Sequence, residues 1–224
     1  MKIFIVIAAY NESKSISKVI NSLKKAGYKN IVVVDDGSKD NTYEIIKKSR
    51  VHALKHIINR GQGAALKTGI DYAINKGADI IVTFDADGQH RVEDIKPMIE
   101  PIINKECEIT IGSRFLKKTS VPLKRLLTLK IAILVLWLFY GVKMTDAHNG
   151  FRAMSRDAAK KIEITSDRME HASQIIEEIY KKRIKYKEVP VTIIYNNYSL
   201  SKGHGGLTQA IKVFTKMFFR KILK

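Results

Sequence analysis

Apolar residues in this chain alternate between two rhythms. Short unbroken runs, Ile3–Ala9 (IFIVIAA) and residues 31–34 (IVVV), leave no polar face, the pattern of strands buried on both sides in a parallel sheet. Between them, residues 13–26 space Ile16, Val19, Ile20 and Leu23 at helical intervals, with Gly27 as a stop. The alternation continues. A helix carrying Tyr43, Ile45 and Ile46 is capped by Asp40 or Asn41, and a short strand follows near residues 53–57. Gly61-Gln62-Gly63 opens a helix that holds Ala64, Leu66 and Ile70 and stops at Gly77. A strand over 80–84, a helix around 95–103 and a strand over 108–111 come next. This order predicts an α/β fold, a mostly parallel central sheet flanked by helices, with ligands at the carboxyl ends of the strands.

The second half reads differently. Residues 117–124 form a basic connector, and 126–142 are strongly apolar apart from Lys130. The clean stretch 131–142 would reach only about 18 Å as a helix, against roughly 30 Å of bilayer hydrocarbon, so it is a buried or interfacial helix rather than a span. Residues 145–152 are polar and turn-rich, helices are expected near 156–161 and 170–182, and a strand through 189–195. After a loop at 196–206, Lys212, Lys216, Arg220 and Lys224 form a basic stripe on an amphipathic helix, 207–224, suited to an anionic membrane surface. One domain is expected over 1–224, in two parts at 1–112 and 113–206 followed by the terminal helix.

Composition narrows the partners. Forty basic against 22 acidic side chains give a net charge of +18, which calls for a polyanionic partner. Nucleic acid is disfavoured, because no RNP-like aromatic strand, zinc spacing or helix-turn-helix signature occurs. The single cysteine, Cys107, excludes an internal disulfide, and no signal peptide is apparent; both suit a cytoplasmic setting.

The chemistry concentrates at residues 83–90 (TFDADGQH), directly after an apolar strand. Asp85 and Asp87 sit two residues apart beside Gly88, and their repulsion is best relieved by Mg²⁺ or Mn²⁺, which shares its remaining positions with substrate phosphates. The turn after the first strand is Tyr10-Asn11-Glu12, without the glycines of a dinucleotide fingerprint, and no Walker sequence occurs, so a diphosphate has to be neutralised in another way, and the metal supplies one. Asp35 and Asp36 end the second strand, where a carboxylate can accept from ribose hydroxyls or a base N–H. His90 and His148 read as structural or surface histidines rather than ligands.

Together IAAYNE (7–12), VVDDGSKDNT (33–42), NRGQGAALKTG (59–69), DADGQH (85–90), GSRF (112–115), NGFR (149–152) and SKG (201–203) resemble the family 2 glycosyltransferases. The chain is most similar to those that make dolichyl- or polyprenyl-phosphate sugars. The resemblance implies a GT-A fold and inverting transfer of a hexose from a GDP- or UDP-sugar to a polyprenyl or dolichyl phosphate. It places the enzyme as a peripheral protein on the inner face of the cell membrane. It implies that Tyr10, Glu12, Asp35 and Asp36 hold base and ribose, that Asp85 and Asp87 bind metal with Gln89 as third ligand, and that Lys67 and Lys202 contact the diphosphate. Arg114 and Arg125 would face the acceptor phosphate, with Glu170 on the acceptor side. Relatives often carry Leu at Gly88 and Ser at Asn149, which leaves open a hydroxyl acceptor in surface-glycan synthesis. A hydroxyl needs a general base, for which Asp146 and Glu170 are the candidates, whereas a phosphate is already ionised. Each of these two carboxylates could instead pair structurally with Arg152 or Arg168.

Overall fold

The structure, a computed structural model, describes residues 1–116, 144–146 and 149–194. The helices expected at 126–142 and 207–224, with Arg125, His148 and Lys202, lie outside them.

Seven strands form one sheet: β1 (Ile3–Ala9), β2 (Asn30–Asp35), β3 (His52–Lys55), β4 (Ile80–Thr83), β5 (Ile109–Ser113), β6 (Arg152–Ser155) and β7 (Tyr186–Pro190). Their spatial order is β3-β2-β1-β4-β6-β5-β7. The pairs β1–β2, β1–β4, β2–β3 and β5–β7 are parallel, and β6 runs against both of its neighbours.

The period-2 alternation of a strand sends successive side chains of β1 to opposite faces. Phe4 and Val6 join a core with Leu66 and Ile70 of α3 (Gln62–Asn75), Ala158 of α5 (Arg156–Lys161) and Ile175 of α6 (His171–Lys181). Ile5 and Ile7 join the other core. There Ile16, Val19, Ile20 and Leu23 of α1 (Ile16–Lys25), Ile46 of α2 (Thr42–Lys48) and Met98 and Ile99 of α4 (Ile95–Ile103) cover the sheet. Side chains of this size contribute about 1.5–3 kcal/mol each when fully buried. The four predicted α1 positions are the four that are buried.

Two local readings are corrected and a third is narrowed to one of its alternatives. No strand was expected at 152–155, yet RAMS pairs with β4 and β5. The last strand lies at Tyr186–Pro190 rather than 189–195, with Ile193 reaching only a single bridge to His90. At α2, Asn41 occupies the cap position without a side-chain bond, and it is Asp40 whose carboxylate accepts from the backbone N–H and hydroxyl of Thr42.

Candidate active site

Beyond β4, Phe84 N–H still donates to Val6 carbonyl, and the chain then turns at Gly88 (φ +77°), a conformation that costs glycine nothing. Asp85 accepts from His90 Nε2 at 2.8 Å and from Gln62 Nε2 at 3.3 Å. The Asp85 side chain is 30% exposed and that of His90 2%, so the carboxylate faces the opening and the histidine backs it. Asp87 accepts from its neighbour Gln89, at 3.0 Å from the backbone N–H and 2.8 Å from the side-chain amide. Gln89 therefore has its amide nitrogen on Asp87, leaving its carbonyl oxygen as the atom able to serve as a ligand.

Burial acts to raise the Asp85 carboxyl, but the charge and hydrogen bond of His90, with Arg152 and His171, outweigh it and hold the group below the usual range. Asp87 is pushed up, first by burial and then by the negative charge of Asp85, with Glu12 adding to the effect. A carboxylate pushed up by burial and by the charge of its neighbour is relieved by a hard divalent cation, so the pair fits Mg²⁺ or Mn²⁺. Among the described residues no three His, Cys, Asp or Glu side chains converge as a metal-ligand group. Asp85 and Asp87 would be the protein's carboxylate ligands, with the remaining positions taken from diphosphate and water.

The reversed strand β6 supplies the back wall. Thr83, the last residue of β4, lies opposite Arg152; its hydroxyl donates to Gly150 carbonyl at 2.6 Å and accepts from Arg152 N–H at 3.2 Å. A Cβ on Gly150 would stand 2.8 Å from both Asp85 carboxylate oxygens, so any larger residue there would displace the carboxylate. Asn149 Oδ1 accepts from Phe151 N–H, and the Phe151 ring packs against Phe84 and His90 with centroids 5.4 and 4.9 Å away. Arg152 is fully buried. His171, also buried, has Nδ1 2.8 Å from Arg168 carbonyl. Burial first, then the charge of Arg152, pulls its pKa down to about 4, so the ring is neutral and Nδ1–H is the donor.

On the donor side, the loops after β1 and β2 are stitched together. Asn11 N–H donates to Ser38 Oγ, Glu12 N–H to Thr42 Oγ1, and Ser13 N–H to Asp40. Buried Glu12 accepts from Ser15 Oγ at 2.6 Å, and Tyr10 is 40% exposed at the mouth. The Asp35/Asp36 pair divides. Asp36 accepts from Arg60 N–H, from Gly61 N–H at 2.6 Å and from His56 Nδ1 at 2.7 Å, which fixes the loop leading into α3. Asp35 is fully buried, and its Oδ1 has no hydrogen-bond partner. Asp35 thus keeps one acceptor atom that no donor among the described residues takes up. The N-terminus of α3 is taken by protein as well, since Ala64 N–H donates to Asp167 carbonyl. Lys67 ion-pairs with Asp71 one turn along α3.

Beyond β5, Arg114 and Asp146 are buried against each other, with Nε 2.6 Å and the Arg114 N–H 3.1 Å from Oδ2. The partner of Asp146 is therefore Arg114, not the Arg152 or Arg168 anticipated for it. Glu188 fixes the segment by accepting from the N–H groups of Thr145 and Asp146. Glu170 occupies the N-cap position of α6, half-buried, with its charge felt by His171. His90 is the hydrogen-bonded structural histidine it was read to be, whereas Gln62, Gly150, Arg152 and His171 were not expected at the metal turn. The motif NGFR contains two of them, but only the β4–β6 pairing brings it to DADGQH.

The model of a family described as Glycosyl transferase family 2 matches residues 4–163. The UDP-N-acetylglucosamine–dolichyl-phosphate N-acetylglucosaminyltransferase of Methanococcus voltae is 38% identical over 99% of this chain and 97% of its own. The polyprenol monophosphomannose synthase of Mycolicibacterium smegmatis is 28% identical over 90% and 80%. Among solved structures, glucosyl-3-phosphoglycerate synthase of Mycobacterium tuberculosis, crystallised with Mn²⁺, UDP and glucosyl-3-phosphoglycerate, superposes with a TM-score of 0.74 at 16% identity, over 96% of this chain and 79% of that one.

Proposed function

Since this chain belongs to glycosyl transferase family 2 and has the GT-A fold, we propose that it moves a sugar from a nucleotide-diphosphate donor onto the phosphate of a dolichyl or other polyprenyl lipid, with inversion. The observation that carries this reading is the metal turn: Asp85 and Asp87 stand together at the carboxyl edge of the sheet, where a cation and a diphosphate would sit. A bound Mg²⁺ or Mn²⁺ would neutralise charge on the departing diphosphate. Around it, the chain's own residues position the reactants. Asp35 Oδ1 offers an acceptor to ribose or base beside Tyr10, and His90 and Gln62 hold Asp85. Gln89, Lys67, Arg125 and Lys202 keep the roles the family motifs imply for them.

The acceptor follows from two supports. Both similar relatives are named for polyprenyl-type lipid phosphates. Moreover, a hydroxyl acceptor would need a base, and Asp146 is committed to Arg114, whereas a lipid phosphate attacks without one. UDP-N-acetylglucosamine is the first donor to test, because the relative at 38% identity is named for it. Among the described residues no helix is long and apolar enough to cross a membrane. Residues 126–142 and 207–224 would bring the protein to the anionic inner face, where the lipid phosphate lies.

The test is a donor panel of UDP-N-acetylglucosamine, UDP-glucose and GDP-mannose with Mn²⁺ or Mg²⁺ and dolichyl or undecaprenyl phosphate, reading the glycolipid by mass spectrometry. Product from one donor, abolished by EDTA and by Asp87→Asn, is expected. Undiminished transfer in EDTA would overturn the metal assignment, and transfer to glycan hydroxyls alone would overturn the acceptor.

A further inference from the structure

Arg152 is the largest fully buried side chain among the described residues, and its Nε, Nη1 and Nη2 have no hydrogen-bond partner. An arginine sealed from solvent with every guanidinium nitrogen unpaired is costly, and such a group persists where nearby charges demand it. Its charge falls on two carboxylates, Asp85 of the metal turn and Asp146. Asp146 is already balanced by Arg114. Asp85 receives hydrogen bonds from Gln62 and His90, but among the described residues it has no ion pair with a lysine or arginine. The backbone explains why the two residues are neighbours. Arg152 lies opposite Thr83, two residues before Asp85, and Gly150 of the same strand end presses on the Asp85 carboxylate. Being fully buried, Arg152 touches no substrate. It acts through Asp85, as a positioning residue.

We propose that Arg152 is the standing counter-charge of the metal turn: its buried charge weakens the hold of Asp85 and Asp87 on a bare divalent cation, so that the cation is bound firmly only together with a diphosphate. The inference rests on the transferase reading above for the identity of that diphosphate. The electrostatics are simple. Arg152 offsets half of the negative charge that the two carboxylates present, and a cation approaching alone meets that offset. A cation approaching with nucleotide brings its own anionic oxygens and is affected far less. The burial of Arg152 keeps water from screening the interaction.

The experiment is a Mn²⁺ titration of the full chain at pH 7.5, followed by electron paramagnetic resonance, with and without UDP or GDP. The wild type is expected to take up Mn²⁺ weakly alone and much more tightly with nucleotide. In Arg152→Met and Arg152→Gln, affinity for Mn²⁺ alone rises by roughly tenfold or more, and the gain conferred by nucleotide shrinks by the same factor. Arg152→Lys, which keeps the charge, behaves as the wild type. Circular dichroism selects the folded variants, and Arg152→Gln, which retains hydrogen-bond donors, covers the case in which Arg152→Met fails to fold. Unchanged affinity for Mn²⁺ alone in a folded neutral variant would overturn this inference by itself. So would an Arg152→Lys variant that matches the neutral ones. A wild type that takes up no Mn²⁺ even with nucleotide would take down the metal-dependent transferase reading, and this inference with it.

Discussion

Gly150 stands so close to Asp85 that a single added methyl would lie 2.8 Å from both carboxylate oxygens. Neither the carboxylate nor the turn that carries it can yield without moving the metal site. Gly150→Ala is therefore expected to fold, with a melting temperature within a few degrees of the wild type. It should lose on the order of 10²-fold in transfer rate, the scale of a displacement near 1 Å at a reacting centre. Calorimetry together with initial rates checks this. Full activity would show that Asp85 needs no fixed position.

The Arg114–Asp146 pair leads to a different expectation. Removing one member of a buried ion pair costs about 3–5 kcal/mol, because the other charge is left uncompensated. Asp146→Asn should lose stability of that order in denaturant unfolding, and the double variant Arg114→Gln/Asp146→Asn should recover part of it. An Asp146→Asn protein that is as stable as the wild type but inactive would return Asp146 to the role of general base.

Asp35 and Asp36, adjacent in sequence, should separate in experiment. Asp36 holds two backbone N–H groups and His56, so Asp36→Ala is expected to destabilise the fold by about 1–3 kcal/mol. Asp35 has an unpartnered Oδ1, so Asp35→Asn should leave stability nearly unchanged and raise KM for the donor sugar nucleotide. Unfolding curves and donor saturation curves on the two variants decide it. Equal effects on both quantities would erase the division of labour.

His171 gives the fold a pH dependence of known sign. Its pKa is about 4 in the folded chain against about 6.5 in an exposed histidine. Between those values the unfolded chain binds more protons, so stability falls as pH drops from about 6.5 towards 4, by at most about 3 kcal/mol. The contribution is fully present above that window. In His171→Asn the unfolding free energy should lose this part of its acid slope, and an unaltered slope would assign it to other groups.

How far the sequence foretold this architecture depends on what each element needed. β1, β2 and β4 are buried on both faces, so their own residues are continuously apolar and announce them. The buried face of α1 likewise follows from spacing alone. β6 does not, because RAMS is four residues long and opens on an arginine; its pairing is dictated by neighbours far away in the chain. β7 is an exposed edge strand, YKEVP, whose charged residues protect the edge and hide the pattern, while the apolar residues just after it drew the expectation forward. At the site, Asp85 and Asp87 were legible because their chemistry is carried on one turn. The separation of Asp35 from Asp36, and the partner of Asp146, depended on which backbone N–H groups and which arginine arrive in space. No local pattern records that.

The reversed strand also sets an order of events during synthesis. Thr83 and Arg152 are 69 residues apart, so β4 leaves the ribosome long before the strand that covers its open edge. Until Phe151 arrives, Phe84 and His90 lack their aromatic neighbour, and Asp85 has neither Gly150 against it nor Arg152 opposite its strand. Contacts this distant form late, after the cost of closing the intervening loop has been met. A nascent chain that has only completed its first five strands therefore carries both metal-turn aspartates without a finished site. The proposed cation site is complete only once residues 150–152 have joined the sheet.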